Sequence, residues 1–321
     1  LISIGNKADL TEIDMLTALA RDEQTRVVVG YLEDISSGNE FIKAAEDASN
    51  HKPVIIFKAG TTPAGQKAAA SHTGVLSGTD TAYGAAFKRS GVCRADSFEA
   101  MLDYAAAFAL QPLPKGNRVL IITNAGGPGT MAADAVERKG MRVAELDRNV
   151  STALRGHLPA AASVANPIDV LGDAGPERYV AALEAAQQDE KVDAVLVILT
   201  PQAMTRPSET AQAIISHLDG SKPVLASFMG GREVMPGRRE LAAGGLPDYE
   251  SPERAVAVLR AMHQYAVWRQ RPPRIVTRFP VNRRRVERII TRRQRAGRLQ
   301  LGEVRAKNVL GAYGFHILQG K

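Results

Sequence analysis

Runs of apolar, often β-branched residues alternate with amphipathic stretches of helix length along almost the whole chain, and that alternation is the signature of βα units closing a parallel sheet. The strand candidates are "LISI", "RVVVGYLE", "PVIIFKAG", "GVCRA", "RVLIITNAG", "MRVAEL", "DAVLVILT" and "PVLASFMG". Between them stand helix candidates such as "TEIDMLTALAR", "NEFIKAAEDASN", "SFEAMLDYAAAFAL", "PERYVAALEAAQQDE" and "SPERAVAVLRAMHQYAVWRQ". Their starts are marked chemically: Thr11 precedes Asp14 by three positions, as in a capping box, and Ser251 precedes Pro252 at a first helical position.

A chain of 321 residues exceeds the size at which one core stops growing, so two domains are expected. "QPLPKGN" (111–117) breaks the alternation with two prolines and a glycine just before a new apolar strand, and "RPPRIVTRFP" breaks it again after residue 271. The expected fold class is therefore α/β: two flavodoxin-like, three-layer α/β/α domains with parallel sheets, at 1–112 and 113–271, followed by an Arg-rich helical linker at 272–300 and a final segment at 301–321. Each block closes on a Ser-initiated, Ala-rich helix, as two weak copies of one plan would. In such sheets ligands sit at the carboxyl ends of the strands.

Charge narrows the function classes once it is located. Residues 269–298 hold twelve arginines, no lysine and one acid, Glu287, a local +11 within a whole-chain +7, so the rest of the chain carries −4. Val286, Ile289 and Ile290 at helical spacing give this segment one apolar face, and aromatic neighbours are few, so a linker helix with solvated arginines is preferred over a nucleic-acid or membrane-surface arm. There is no run of 18 apolar residues and no basic stretch ahead of an apolar one, so neither a membrane span nor a signal peptide is expected. The single cysteine, Cys93, fits a reducing cytoplasm and is assigned a structural place in a short strand, with no role.

Three stretches carry chemistry. "AAASHTGVLSG" sets His72 among very small residues in a connection of close to twenty residues between "PVIIFKAG" and a helix beginning near Thr79, where such loops take about 2–6. Ser71, Thr73 and Gly74 surround it with hydroxyl and backbone donors suited to an anion. On these residues alone His72 reads as a general base, a phosphoryl acceptor, a metal ligand or a solvated loop histidine; no His, Cys or carboxylate stands near it at metal-ligand spacing. His51, His157, His217, His263 and His316 read as structural residues on helix ends or faces. Glu33 closes the strand "RVVVGYLE" where a neighbouring strand would aim it at that loop, or else it is a surface acid. "TNAGGPG" supplies Asn124, Gly126, Gly127 and Gly129 as a strand–turn–helix phosphate cradle, or as a tight connection; it is neither G-x-G-x-x-G nor a P-loop. "NPIDV" and "LTPQAMT" line the same edge.

Taken together, "GNKAD", "YLE", "KPVIIFKAG", "AAASHTG", "PLPKGNRVLIITNAGGPG", "NPIDV" and "AVLVILTPQAMT", in that order, resemble the NDP-forming acyl-CoA synthetases, relatives of succinyl-CoA synthetase. The resemblance implies a relay: phosphate cleaves an acyl-CoA thioester to an acyl phosphate, a histidine takes the phosphoryl group, and its loop swings to an ATP-grasp site to phosphorylate ADP. By motif match the acceptor is His72 and the acid supporting its imidazole is Glu33, while Gly126, Gly127 and Gly129 lie by the phosphate site. It also implies CoA, ADP or ATP, phosphate and Mg²⁺ as reactants of the whole enzyme, no metal or cofactor held within this chain, an acyl-CoA or acyl-phosphate substrate, and an oligomer. A CoA-binding domain and a first βα unit are expected before Leu1, and 301–321 is expected to open an ATP-grasp domain with a helix and a strand, so the chain reads as a fragment inactive alone. The competing expectation is an acyl-CoA-sensing module of a protein lysine acetyltransferase, which the intact "SHTG" disfavours.

Overall fold

Every side chain of the strand AVLVIL, Ala194–Leu199, is buried, and so is every one of VLASF, Val224–Phe228. That pattern needs helices on both faces of a parallel sheet. The computed structural model describes residues 1–73, 79–272 and 281–317, with the backbone alone at 69–73. Its first stretch runs α1 (Glu12–Ala20), β1 (Val28–Leu32), α2 (Gly38–His51), β2 (Val54–Lys58), α3 (Pro63–Thr73), α4 (Asp80–Ser90), β3 (Cys93–Ala95) and α5 (Phe98–Leu110). The second runs β4 (Arg118–Thr123), α6 (Gly126–Arg138), β5 (Arg142–Val143), α7 (Arg148–Arg155), β6 (Ile168–Asp169), α8 (Pro176–Gln188), β7 (Ala194–Leu199), α9 (Pro207–Ser216), β8 (Val224–Phe228), α10 (Met235–Ala243) and α11 (Pro252–Arg269).

The strands form two parallel sheets, β1-β2-β3 and β5-β4-β7-β8 with β6 also on β4. Residues 1–271 make one compact unit, and the reason is a shared core. Ile55, Ala95, Tyr104 and Phe108 of the first sheet and α5 pack in one cluster with Ile121, Leu196, Leu259, Met262 and Tyr265 of the second sheet and α11. Outer clusters cover the far faces, with Phe41, Ile56 and Phe87 on one side and Ile122, Leu183 and Val197 on the other. Each such large apolar side chain contributes about 1.5–3 kcal/mol by leaving water.

At the seam α11 meets the turn between α4 and β3. Trp268 lies so close to Gly91 that a Cβ there would fall 2.4 Å from the indole ring, and Gly91 has φ +77°. The indole N–H donates to the Arg89 carbonyl at 3.2 Å, and the ring stacks on Tyr265 at 6.4 Å.

Several expectations shift. Residues 1–4 join no sheet, and Leu1 and Ile2 are exposed. "MRVAEL" pairs only through Arg142 and Val143, because the Asn166 amide takes the Ala144 carbonyl and ends the ladder. The long connection after β2 is instead largely α3, its start bearing Pro63 and its body the helix-forming run "AGQKAAA". The capping pair forms as expected, with the Asp14 carboxylate accepting the Thr11 N–H at 2.9 Å.

The remaining unit, 272–321, contains α12 (Arg283–Arg295) and α13 (Glu303–Ala312). The Asn282 side chain caps α12 by accepting the Arg285 N–H at 3.1 Å, and its N–H donates to the Ala312 carbonyl at 2.9 Å. Val286 is buried, Ile289 half-buried and Ile290 exposed, so the apolar face is narrower than its three residues suggest. After α13 the described residues 313–317 form no strand, and His316 lies beyond the helix, which Gly314 closes at φ +83°. No helix among the described residues is long and apolar enough to cross a membrane.

Candidate functional site

Parallel strands with helices on both faces leave two edges, and at the carboxyl edge Glu33 directly follows β1 and Asn124 directly follows β4. The register Leu32↔Lys58 ends β1 and β2 level with each other, so Glu33 and Ala59 stand side by side, tied by an Ala59 N–H to Leu32 carbonyl bond of 2.9 Å. The Glu33 carboxylate is half-buried and meets only the Tyr31 hydroxyl, at 3.5 Å, among the described residues. From Ala59 the chain turns into α3, whose last turn holds Ser71, His72 and Thr73; the side chains of these three, and all of Gly74, lie outside the described residues. His72 is thus presented from a helix end rather than from a long loop.

Lys58, the last residue of β2, is a feature the sequence reading missed. It is 2% exposed, yet its ammonium reaches the carbonyls of Glu33 at 2.6 Å and Ala59 at 2.5 Å and sits 4.4 Å from the centroid of the Tyr83 ring. Burial pulls its pKa below the ordinary lysine value, with Asp34 and Asp80 opposing. On the far side of the same turn, Lys7 donates to the Asp34 carbonyl at 2.8 Å and to its carboxylate at 2.7 Å. Burial lowers the Lys7 pKa, but hydrogen bonds to Asp34 and Glu12 outweigh it and raise the value.

In the second sheet β4 ends at Thr123 and α6 begins three residues later. Gly129 is closely packed there: a Cβ would lie 3.0 Å from the Thr123 methyl and 3.4 Å from Pro167, so these neighbours would have to give by a few tenths of an ångström. A Cβ on Gly126 or Gly127 would meet nothing within 4 Å, so packing does not demand these glycines and their exposed backbone is free to meet a ligand. The Asn124 side chain is committed to the protein: its amide donates to the Thr200 carbonyl at 2.8 Å while its oxygen accepts the Thr200 N–H at 2.8 Å. It joins the ends of β4 and β7 rather than reaching outward.

"NPIDV" fills a gap in the sheet. The Asn166 oxygen accepts the Ile121 N–H at 3.0 Å, and its amide donates to the carbonyls of Val119 at 2.8 Å and Ala144 at 2.9 Å, substituting for strand pairing where β5 has ended and β6 has not begun. Beyond β6, Leu171 takes the left-handed φ of +74°, its N–H held by Asp169 at 2.9 Å. "LTPQAMT" lines a cleft of about 410 Å³ at the same edge, formed by Pro201, Gln202, Ala203, Thr205, Pro207 and Glu233. A larger groove, about 680 Å³, opens beside the seam with α11, past Phe87, Val92, Lys139, His263 and Trp268.

Cys93 stays structural: burial pushes its thiol up to about 12, far from a nucleophile's value. Among the described residues no three His, Cys, Asp or Glu side chains are grouped to hold a metal.

Residues 1–108 match the succinyl-CoA ligase-like flavodoxin domain family, and residues 119–272 match the ligase-CoA domain family. A 4-hydroxybutyrate–CoA ligase (ADP-forming) of Nitrosopumilus maritimus is 36% identical over 98% of this chain and 45% of its own length. The alpha subunit of an acetate–CoA ligase (ADP-forming) II of Pyrococcus furiosus is 42% identical over 83% of this chain and 59% of its own. In structure the chain resembles a dinucleotide-forming acetyl-coenzyme A synthetase 1 of Ca. Korarchaeum cryptofilum, solved with phosphate and ADP, at a TM-score of 0.79 and 36% identity over 84% of this chain and 59% of that one. The chain spans about half the length of the curated relatives it matches.

Proposed function

This chain belongs to the succinyl-CoA ligase-like, ADP-forming acyl-CoA ligases, and from that premise we propose that it is the phosphohistidine-carrying part of such an enzyme. The observation that carries the reading is the level ending of β1 and β2, which sets Glu33 beside the start of the segment whose last helical turn bears His72.

In the proposed reaction an acyl phosphate, made from acyl-CoA and phosphate, is the phosphoryl donor. One ring nitrogen of neutral His72 attacks phosphorus, the N–P bond forms, the P–O bond to the acyl oxygen breaks and the carboxylate leaves. The Glu33 carboxylate accepts the hydrogen bond of the other ring nitrogen and stabilises the cation that develops. Ser71, Thr73 and Gly74 supply donors around the phosphoryl oxygens, and the open backbone of Gly126 and Gly127 at the start of α6 receives the phosphate of the substrate. ADP then takes the phosphoryl group from His72. Mg²⁺ would accompany the nucleotide.

We further propose that residues 1–112 and 113–271 act as two flavodoxin-like domains around their shared core. They work with CoA-binding and ATP-grasp domains, in one chain or as subunits of an oligomer, in the cytoplasm. The acetyltransferase-module reading draws no support from the relatives, which are named as ligases.

The test uses the complete enzyme with Mg²⁺ and γ-³²P-ATP. Acid-labile, base-stable label that ADP discharges, that is absent in His72→Ala and that is strongly reduced in Glu33→Gln is the expected outcome. A folded wild type that takes no such label refutes the reading.

A further inference from the structure

A buried ammonium is expensive to keep. Lys58 is 2% exposed and makes no ion pair among the described residues; what it holds are two main-chain carbonyls, those of Glu33 and Ala59. Methionine at the end of β2 would fill similar space without the desolvation cost. The cation therefore does something that volume alone does not.

What it does is readable from the next residue along. Lys7 donates to the carbonyl of Asp34, so two ammonium groups seize two consecutive carbonyls, 33 and 34, of the turn that follows β1. The two lysines come from different elements, one ending β2 and the other preceding α1. The turn is held at a further point by Glu12, 3% exposed, whose carboxylate accepts the Ser36 N–H at 2.7 Å and pairs with Lys7 at 3.0 Å. Lys7 adopts the left-handed φ of +57° to reach this position, a conformation that an L-residue keeps only when its surroundings over-determine it. The Leu32 carbonyl, which accepts the Ala59 N–H, lies in the peptide plane before Glu33, and the Glu33 carbonyl, held by Lys58, lies in the plane after it; fixing both fixes the direction of the Cα–Cβ bond of Glu33, and Lys7 on the Asp34 carbonyl braces the next plane along.

We propose that Lys58, together with Lys7, is a positioning residue for Glu33, clamping the turn after β1 so that the carboxylate is held where it supports the imidazole of His72. The proposal rests on the phosphohistidine reading above. It assigns neither lysine a contact with the phosphoryl group. A carboxylate hung on an unclamped turn samples other directions, and a misplacement of about 1 Å costs on the order of 10²-fold in rate.

The experiment is a double-mutant cycle on the complete enzyme, reading the initial rate of His72 labelling from γ-³²P-ATP for wild type, Lys58→Met, Glu33→Gln and the double variant, with circular dichroism on each. Lys58→Met is expected to slow labelling by about 10- to 100-fold, and the double variant is expected to be no slower than Glu33→Gln alone, because a clamp has nothing to act on once the carboxylate is gone. Labelling of Lys58→Met at the wild-type rate overturns the proposal. So does a double variant whose loss is the product of the two single losses, since that is the behaviour of a lysine serving the fold alone. If Lys58→Met does not fold, the same cycle with Lys7→Met is decided by the same two criteria. A wild type unlabelled at His72 removes the phosphohistidine reading and the clamp together, whereas a labelled wild type with an indifferent Lys58→Met removes only the clamp.

Discussion

Replacing Asn166 by alanine tests whether a single side chain substitutes for a strand. The amide serves the carbonyls of Val119 and Ala144 and the N–H of Ile121. Val119 keeps a second partner, the Ala144 N–H at 2.9 Å. The substitution therefore orphans two groups, the Ile121 N–H and the Ala144 carbonyl, on residues that are 0% and 1% exposed. Each unsatisfied buried group costs about 1–3 kcal/mol, so the pair is worth about 3 kcal/mol, and at about 2–4 °C per kcal/mol for a unit of this size Tm falls by about 6–12 °C. Urea and thermal unfolding followed by circular dichroism measure it. Asn166→Asp sharpens the test: it keeps an acceptor for Ile121 but sets a carboxylate against two carbonyls. That variant should be less stable than Asn166→Ala at neutral pH and recover as the pH falls and the carboxyl gains a proton to donate. A loss below about 0.5 kcal/mol for Asn166→Ala would refute the argument, because it would mean that water replaces the amide at no cost.

Three further outcomes are expected. Gly127→Ala should stabilise the chain by about 0.5–1 kcal/mol, since its Cβ meets nothing and helices favour alanine, yet lower acyl-phosphate turnover in the complete enzyme; thermal melts and coupled activity assays read the opposite signs. Gly91→Ala must relieve a positive φ and a 2.4 Å approach to Trp268, so it should lower the urea midpoint more than Gly127→Ala raises it, and a cycle with Trp268→Leu should reveal strong coupling between the two sites. Burial depresses the pKa of His263 below 6.5, with the Asp193 charge and the Gly116 carbonyl opposing, so its contribution to stability is intact above that value and is lost as pH falls through the depressed one. Urea midpoints between about pH 7.5 and about pH 5.5 should therefore fall less steeply in His263→Leu than in the wild type.

The parallel sheets were legible because strands such as β7 are buried on both faces and so read as unbroken apolar runs. Glu33 was legible because a polar residue directly after such a run marks the carboxyl edge. The helical setting of His72 was not, since glycines and hydroxyls around it argued for a loop while the alanines before it carried a helix to Thr73. Asn166 and Lys58 escaped for a different reason. Both act on main-chain groups far away in sequence, 45 and 25 residues from Ile121 and Glu33, and nothing local to either side chain announces the carbonyl or N–H it will meet. The lone signal was for Lys58: a charged residue closing an otherwise apolar strand must either reach water or be satisfied by the backbone.

Trp268 is the only tryptophan of the chain, and it sits on the seam where α11 covers the turn between α4 and β3. Its emission therefore comes from one place, with its N–H tied to the Arg89 carbonyl and Tyr265 stacked beside it. A red shift that precedes the loss of helical ellipticity on denaturation would time the parting of the two sheets separately from the melting of either. The chain thus carries its own optical gauge of whether the β1–β3 layer and the β4–β8 layer move as one body.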